Sequence, residues 1–347
     1  MIKWSISEFP DFPWRLRRNL YGTLVSEIML QQTTVQTVLN HFNRFLDLYP
    51  DIQSLAVSSE DDIIKAWKGL GYYRRARNLR AAAIDIQDKF QGKIPLLKEE
   101  LISINGIGDY TASAIISIGA DQVALAIDAN IERVFSRIFL LKTLKGKKLQ
   151  DEIKDKFHAE EFFKHKSIKS YRELNEALMD LGRTICKANS VDCENCTVKK
   201  NCLAFIKGRP LELPNIGGKT EKKKAKQSKL HLLRIIVLRE SKILVYKKSK
   251  KQWLAGQYEL PTFVITSEDN KCIQYPLFTG PKINVKNLVS FKSTITRYNI
   301  QNSIVEFKLQ DFNKSFNLSD YEFIERDCEK TNFAISVDKT LKKYQLI

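Results

Sequence analysis

Residues 100–119 read ELISINGIGDYTASAIISIG, and this stretch decides the fold of the first part of the chain. Apolar residues follow helical spacing up to Asn105, where Gly106 and Gly108 interrupt the pattern. Glycine permits positive φ and a close approach of the backbone, so the interruption predicts a tight hairpin. Tyr110 and the small residues after it open a second helix. The stretch therefore predicts two helices joined by a glycine hairpin.

The start of the second helix is a predicted phosphate site. The first N–H groups of a helix have no partner inside the helix and attract anions, so the hairpin is suited to the DNA backbone, which carries no sequence information. An ordinary glycine turn is the alternative reading. The composition favours DNA, because Lys and Arg number 57 against 40 Asp and Glu, with a pI near 9.5. A formal net charge of +17 implies a polyanionic partner, most simply nucleic acid.

Four cysteines lie within one 17-residue window, with the spacing C-x6-C-x2-C-x5-C. They are Cys186, Cys193, Cys196 and Cys202. Four soft thiolates this close together suit a zinc ion or an iron–sulfur cluster, and the single C-x2-C pair favours a [4Fe–4S] cluster over zinc. Two disulfides are the third alternative. Nothing else indicates an oxidising compartment, since the sequence shows no signal peptide and no membrane-spanning run. We therefore expect a cytoplasmic, nucleoid-associated protein.

The composition and the hydrophobic periodicity of the sequence change after residue 213. Residues 21–210 follow helical periodicity, with a break at the Gly69–Gly71 turn. Residues 214–229, PNIGGKTEKKKAKQSK, contain six lysines and indicate a solvated linker. Short runs rich in β-branched and aromatic residues follow the linker. A series of helices followed by a series of strands predicts two domains, the second of α+β type.

Six motifs follow one another along the chain. They are PWR at 13–15, SEIMLQQTTV at 26–35, GLGYYRRARNL at 69–79, NGIGDYTASAI at 105–115, IDANIERV at 127–134 and NEALMDLG at 175–182. In this order they resemble the helix–hairpin–helix DNA glycosylase superfamily that includes endonuclease III, and within it the MutY-type adenine DNA glycosylases. The resemblance is strong over residues 4–212 and weak over 230–347. It implies a [4Fe–4S] cluster on the four cysteines and a monomer acting on double-stranded DNA.

The resemblance also implies a multidomain fold, in which an all-α helix–hairpin–helix glycosylase core with a [4Fe–4S] module precedes an α+β Nudix-like domain. The expected divisions are a six-helix domain at 20–128, a cluster-containing helical domain from 1–19 and 129–212, a lysine-rich linker at 213–229 and a Nudix-like 8-oxoguanine recognition domain at 230–347. The last domain lacks the REUxEExGU box of Nudix pyrophosphatases after Pro261. We therefore expect it to bind and not to hydrolyse.

Tyr110 sorts the subfamilies. Bifunctional members carry a lysine here, which forms a Schiff base with the sugar, so Tyr110 implies a monofunctional, hydrolytic enzyme that removes adenine mispaired with 8-oxoguanine or guanine. Glu27 matches the acid that protonates adenine at N7, and Asp128 matches the carboxylate that stabilises an oxocarbenium-like sugar. Asn130 and Tyr110 match residues that position the sugar and Asp128. Without this context, Glu27 is a helix-surface carboxylate and Asp128 an ordinary N-cap.

A base that leaves the DNA stack leaves a gap, and the resemblance implies the residues that fill it. Gln32 and Tyr72 match the intercalating pair, and Leu30 lies beside them. On its own, an aromatic pair such as Tyr72–Tyr73 is more often part of a core. Three arginines follow this pair and are expected to meet phosphates: Arg74, Arg75 and Arg77.

The remaining matches concern the two bases of the mispair. Arg15 and Glu176 match positions that line the adenine pocket. In the second domain, Ile295-Thr296-Arg297 aligns with a Phe-Ser-His turn that contacts 8-oxoguanine, so Thr296 and Arg297 are the candidate readers of the opposite base. The alternative for these two residues is an exposed strand without function.

Two other functions remain open. A thymine–guanine mismatch glycosylase of the same superfamily would share the cluster and the non-lysine residue at position 110, but such enzymes usually lack the C-terminal domain. A non-catalytic damage-binding protein would not need both Glu27 and Asp128.

Overall fold

The computed structural model describes residues 1–159, 169–217, 227–269, 274–327 and 331–346. The chain divides into two compact units, residues 1–219 and 220–347. Residues 218–226 of the predicted linker lie outside the described residues, as do Cys272 and Cys328, the two cysteines of the sequence that are not part of the cluster of four. No helix in the described part of the chain is long and apolar enough to cross a membrane.

The first unit is helical. Its described α-helices are α1 (Ile2–Glu8), α2 (Pro13–Leu16), α3 (Leu20–Leu30), α4 (Val35–Leu48), α5 (Ile52–Ala56), α6 (Glu60–Ala66), α7 (Arg74–Phe90), α8 (Lys98–Ile102), α9 (Asp109–Ala114), α10 (Ala129–Ile138), α11 (Lys147–Ala159), α12 (Tyr171–Thr184) and α13 (Leu203–Ile206). A π-helical turn, Ile115–Gly119, continues α9. The sequence predicts one helical run from residue 23 to 48, whereas the structure breaks it after Leu30. The break has a local cause, because Thr34 caps α4 by accepting from the Thr37 N–H.

Helix α3 lies in the core of the first unit. Its residues 22–29 are all buried, including the apolar side chains Leu24, Val25 and Met29, which are fully inaccessible. A helix that is buried on all sides places any polar side chain it carries inside the protein. Glu27, which lies on this helix, is therefore held away from solvent.

Helices α10 and α12 pack closely around a second apolar core that includes Ile131, Phe135 and Leu178. They approach each other closely at Gly182 of α12. A Cβ atom at this position would lie 2.5 Å from Cβ of Asn130, so only glycine fits. This approach brings the end of α12, which leads into the four cysteines, against the start of α10.

The second unit is rich in β-structure. Its elements are β1 (Ser228–Ile236), β2 (Leu238–Arg239), β3 (Lys242–Lys247), β4 (Tyr258–Glu259), β5 (Thr262–Ser267), β6 (Val289–Ile295), β7 (Tyr298–Glu306), α14 (Leu309–Ser315), β8 (Glu322–Glu325) and α15 (Ile335–Lys343). One sheet has the order β5-β1-β7-β6, with β1 and β7 parallel. In the other, β3 pairs with β2, β4 and β8. A helical unit followed by a sheet-rich unit confirms the coarse fold prediction.

Candidate active site

Glu27 is a buried carboxylic acid, with only 5% of its surface exposed. The Tyr110 hydroxyl, on α9, donates a hydrogen bond to Oε2 of Glu27 at 2.5 Å. Burial raises the pKa of Glu27 to about 7; the Tyr110 hydrogen bond opposes this rise, and the charges of Asp128 and Glu176 add to it. A carboxyl group with this pKa retains a proton close to neutral pH. Glu27 can therefore act as a general acid.

Asp128 is the N-cap of α10 and has a different environment. Its Oδ1 accepts from the backbone N–H groups of Asn130 at 2.9 Å and Ile131 at 2.7 Å, and its Oδ2 accepts from the Asn130 side-chain amide at 2.7 Å. Burial raises the pKa of Asp128, and these three hydrogen bonds oppose the rise. Bonds from N–H groups at a helix start favour the ionised form. The pKa of both carboxyls is thus raised by burial, but Asp128 accepts three N–H hydrogen bonds that favour its ionised form, whereas Glu27 accepts a hydrogen bond from the Tyr110 hydroxyl.

Arg133 connects Asp128 to the cysteine segment. Its Nη2 donates to Oδ1 of Asn130 at 2.8 Å and to the carbonyl of Gly182 at 2.7 Å, while its Nε donates to the Cys186 carbonyl at 2.7 Å. The first bond orients the Asn130 amide so that its N–H groups face Asp128. Arg133 is not among the residues that the sequence motifs predict. The available signal was its place three residues after Asn130, on the same face of a predicted helix.

Arg15 and Glu176, the two residues matched to the adenine pocket, lie close together. Arg15 Nε lies 3.5 Å from Oε2 of Glu176, and Arg18 Nη2 donates to the same oxygen at 3.0 Å. Burial raises the pKa of Glu176, and the two arginines oppose that rise. Arg15 also donates to Asp180 at 2.8 Å, a partner that the sequence analysis missed. These ion pairs hold the N-terminal segment against α12.

Gln32 and Tyr72 lie on two neighbouring loops, and both adopt positive φ, +56° and +48°. Gln32 is exposed, Tyr72 has 64% of its surface exposed, and Leu30 beside them is partly buried. Left-handed backbone is costly for residues other than glycine and is concentrated at functional sites. An exposed aromatic ring on such a loop is suited to contact with a flat partner.

The arginines after Tyr72 correct one expectation. Arg75 is only 8% exposed and donates to backbone carbonyls of the protein, so it does not face phosphate. Arg77 Nε donates to Glu60 Oε1 at 2.7 Å. Arg74 is exposed, and its phosphate contact stays a prediction. The expectation for Arg75 was wrong because carbonyls far along the chain, at Ile28 and Met29, surround its side chain.

The glycine hairpin is present and rests on α7. Gly106 has a φ of +81°, and a Cβ there would lie 2.8 Å from Cβ of Asn78. Asp85 Oδ2 accepts from both the backbone and the side-chain amide of Asn105, at 2.8 and 2.7 Å. Gly108 is the N-cap of α9. The helix before the hairpin ends at residue 102, earlier than the apolar pattern predicts.

The four cysteines line one cavity, together with the side chain of Arg137. None of the four is in a disulfide, and burial raises the pKa of the thiols of Cys193, Cys196 and Cys202. Arg137 is 1% exposed and its Nη1 donates to Sγ of Cys186 at 3.1 Å. Among the described residues, no three His, Cys, Asp or Glu side chains lie close enough together to bind one metal ion.

Thr296 and Arg297 lie in the second unit, as the two-residue turn between β6 and β7. Thr296 is exposed at a φ of +48°, which is unusual for a β-branched residue. Arg297 Nη2 donates to Oδ2 of Asp269 at 2.5 Å, and the Tyr298 hydroxyl donates to the same oxygen at 2.5 Å. Asp269, which the sequence motifs do not predict, holds Arg297 against the base of the hairpin, and Thr296 lies at the tip.

Comparisons with known proteins agree with this geometry. Residues 25–159 match the model of the HhH-GPD superfamily of base excision DNA repair proteins. The adenine DNA glycosylase of Buchnera aphidicola subsp. Acyrthosiphon pisum (strain APS) is 31% identical over 287 residues, which cover 81% of this chain and 77% of that protein. The adenine DNA glycosylase of Buchnera aphidicola subsp. Schizaphis graminum (strain Sg) is 29% identical, over 99% of this chain and 96% of the relative.

A solved structure extends the comparison to the fold. A thermostable thymine-DNA glycosylase is 26% identical, with a TM-score of 0.51, and the match covers 59% of this chain and 93% of that one. The adenine DNA glycosylases of the two Buchnera strains match into the second unit as well, since their alignments cover most of this chain. The chain therefore belongs to the adenine DNA glycosylases of the HhH-GPD superfamily, the DNA N-glycosylases that remove adenine in base excision repair.

Proposed function

We propose that this enzyme removes adenine opposite 8-oxoguanine, and more slowly adenine opposite guanine, by monofunctional hydrolysis in duplex DNA. The observation that carries the proposal is the buried Glu27, with a pKa of about 7, bonded to a tyrosine at the position that sorts the subfamilies. We also propose that it acts as a monomer in the cytoplasm, at the nucleoid.

The reaction needs a proton on the leaving base. Glu27 donates its proton to N7 of adenine, and the C1′–N9 bond then breaks with its electron pair moving to the base. The sugar becomes an oxocarbenium-like cation, which the carboxylate of Asp128 stabilises electrostatically. Water adds its oxygen to C1′ and loses a proton to solvent, from which Glu27 regains the proton that it gave to adenine. Asn130, through its two bonds to Asp128, keeps that carboxylate in a fixed orientation.

Tyr110 supports the monofunctional assignment. A Schiff base requires an amine next to C1′, and the phenol of Tyr110 cannot form one. Its hydroxyl is already committed to Glu27, and burial, followed by the charges of Glu27 and Asp128, raises the pKa of the phenol well above its usual value. Tyr110 therefore stays protonated and donates to the acid.

We propose that the four cysteines hold a [4Fe–4S] cluster, and the residues present fit such a group. All four thiols line one cavity, and the guanidinium of Arg137 is buried beside them. The hydrogen-bond partners of Arg137 among the described residues are backbone carbonyls and the sulfur of Cys186. A buried cation needs a compensating negative charge, and four thiolates would provide it. When bound, the cluster would tie residues 186–202 into one folded segment.

We propose that the second unit is Nudix-like and reads the base opposite adenine. Glu259, in the segment WLAGQYELP, is fully buried and accepts from Arg234 at 2.6 Å and from Lys248 at 3.3 Å. Burial opposes ionisation of Glu259, but the two cations prevail and hold its pKa below the usual range. A carboxylate enclosed in this way is not open to a metal ion from solvent. This supports a role in binding and not in pyrophosphate hydrolysis.

The proposed function predicts the outcome of a three-substrate comparison. Under single-turnover conditions the full chain should release adenine fastest from A·8-oxoguanine and more slowly from A·G, and it should release no thymine from T·G. Strand breaks should appear only after alkali, and borohydride should trap no covalent complex, because position 110 offers no amine. Thymine release would favour the mismatch glycosylase alternative. Efficient trapping would show that another lysine attacks the sugar.

The hairpin of the second unit carries a separate prediction. Replacing Thr296 by valine keeps the β-branched shape and removes one hydroxyl, which can accept from N7–H of 8-oxoguanine. The ratio of excision rates for 8-oxoguanine over guanine should fall about 10-fold, the value of one hydrogen bond. Thr294→Val, two residues away on β6, is the matched control and should leave the ratio unchanged. A change on Ser293→Ala alone would shift the assignment to Ser293, whose Oγ accepts from Asn302 at 2.9 Å.

A further inference from the structure

Arg75, in the first turn of α7, has an unusual set of partners. Its guanidinium is buried and donates to five backbone carbonyls and one hydroxyl. The acceptors are the carbonyls of Ile28 (3.0 Å), Met29 (2.8 Å), Gln31, Leu70 (3.0 Å) and Gly71 (3.1 Å), and Oγ1 of Thr33 (2.8 Å). A charged group with this many carbonyl partners is held in a single orientation. Arg75 is therefore a fixed point in this part of the first unit.

The acceptors belong to two separate segments. Four of them lie at or just past the C-terminal end of α3, where the last carbonyls of a helix lack partners and attract cations. The other two lie on the loop that precedes Tyr72. One side chain thus joins the end of the helix that carries Glu27 to the loop that carries the exposed tyrosine. The aromatic ring of Trp67 closes the other side, with the guanidinium 5.5 Å from its centre.

The two left-handed residues of this region directly follow acceptors of Arg75. Gln32 comes after Gln31, and Tyr72 comes after Gly71. Left-handed backbone at non-glycine residues costs about 1–3 kcal/mol each and persists only where surrounding contacts hold it. The Tyr72 ring also lies over the guanidinium, at 5.7 Å. The bonds to Arg75 are contacts of the kind that hold such a backbone.

We propose that Arg75 is a positioning residue that fixes Gln32 and Tyr72 relative to Glu27, so that wedging the DNA and presenting adenine to the acid occur within one rigid frame. This inference rests on the proposed function and on the match of Gln32 and Tyr72 to the intercalating pair of the family. Extruding a base costs a few kcal/mol. Intercalating residues offset that cost only if they keep their own positions. A small misplacement of adenine relative to the acid also lowers the rate of excision.

The guanidinium is required for this role, and a positive charge alone is insufficient. Arginine offers five N–H donors in a planar fork, whereas lysine offers three on one nitrogen and cannot span both segments. Arg75→Lys therefore keeps the charge and removes the bridge. Arg80→Lys is the matched control, because Arg80 lies on the same helix and its Nε donates to a single carbonyl, that of Ser58, at 2.6 Å.

The test compares, for each variant against the parent enzyme, two substrates that differ in the opposite base and therefore in how firmly adenine is stacked. One is the intact A·8-oxoguanine duplex, and the other places the same adenine opposite an abasic site, where unstacking is easier. Arg75→Lys should lower single-turnover excision about 10- to 100-fold on the intact duplex and less than about 3-fold on the loosened one. Arg80→Lys should match the parent enzyme on both. Equal losses on the two substrates, or no loss, would overturn the positioning role.

A second measurement separates this inference from the proposed function. A duplex carrying 2-aminopurine in place of adenine brightens when that base leaves the stack, and the signal needs no catalysis. In a Glu27→Gln background, adding Arg75→Lys should abolish most of the fluorescence rise, and adding Arg80→Lys should not. An unchanged rise would refute the inference even if adenine excision is established. Absence of adenine release by the unmodified enzyme would refute the proposed function and leave the fluorescence result to decide the role of Arg75.

Discussion

Replacing Glu27 by glutamine should lower adenine excision by at least about 10²-fold, the usual effect of losing a general acid. Glutamine preserves the shape of the side chain and its contact with Tyr110 but carries no acidic proton. Binding to an A·8-oxoguanine duplex should persist, because the hairpin and the exposed loops are unchanged. Single-turnover excision and duplex affinity measured on the same preparation check both halves. Parent-like excision would remove Glu27 from the mechanism.

The pH dependence of excision by the parent enzyme is a second test of Glu27 as the proton donor. Because burial raises the pKa of Glu27 to about 7, the acid is protonated below that pH and ionised above it. Excision should therefore be fastest on the acidic side and fall as pH rises through about 7. Tyr110→Phe removes a hydrogen bond that lowers this pKa, so the fall should move to higher pH. A profile without a fall in this range would contradict the role of Glu27 as proton donor.

Replacing Arg137 by methionine should destabilise the first unit by about 3–5 kcal/mol, the usual cost of breaking a buried ion pair. The change leaves the carbonyls of Leu213 and Lys187 without a donor and the cysteine sulfurs without their cation. A [4Fe–4S] cluster supplies about four iron atoms per chain, and the iron content of the anaerobically purified variant should fall below that value. Urea unfolding and iron analysis measure the two effects. Arg183→Met is the matched control, because the Arg183 side chain is 33% exposed and pairs with Asp180 instead of a cysteine.

Full iron and parent-like stability in the Arg137→Met variant would show that the cysteines do not depend on this cation. Stoichiometric zinc in place of iron would refute the [4Fe–4S] cluster but would still show that the four cysteines bind a metal. Cys196→Ser gives an independent check, since it removes one thiol and leaves Arg137 in place. It should lower iron content and folded yield, while the pKa of Glu27, read from the pH profile of the remaining activity, should not move.

Local sequence patterns predicted the elements whose cause is local. The hairpin follows from Gly106 and Gly108, whose backbone freedom can be read from two letters. Asp128 as a helix cap follows from its place before a periodic run, and the structure shows it capping α10. The four cysteines were grouped by spacing alone, and they do line one cavity.

The rest depended on contacts between distant parts of the chain. Arg75 belongs to an exposed-looking basic run, and its burial is decided by α3, 46 residues away in the case of Met29. Glu27 alone reads as a surface carboxylate, because a helical pattern gives the direction of a side chain and not what covers it. Asp269 contacts Arg297 on a distant hairpin, and Arg133 donates to the carbonyls of Gly182 and Cys186 on another segment, contacts that no local pattern predicts. Burial and contacts between distant residues depend on long-range packing, which local sequence patterns do not specify.

Gly182 is a position at which substitutions should inactivate the protein although the residue takes no part in the chemistry. The residue has no side chain, touches no proposed substrate and is buried, yet a single added carbon there would lie 2.5 Å from Asn130. Every missense change at a glycine codon adds at least that carbon. In a collection of inherited or selected variants, such changes should therefore fall among the null alleles, beside those at Asp128. Intolerance to substitution at this position would reflect steric crowding and not chemistry.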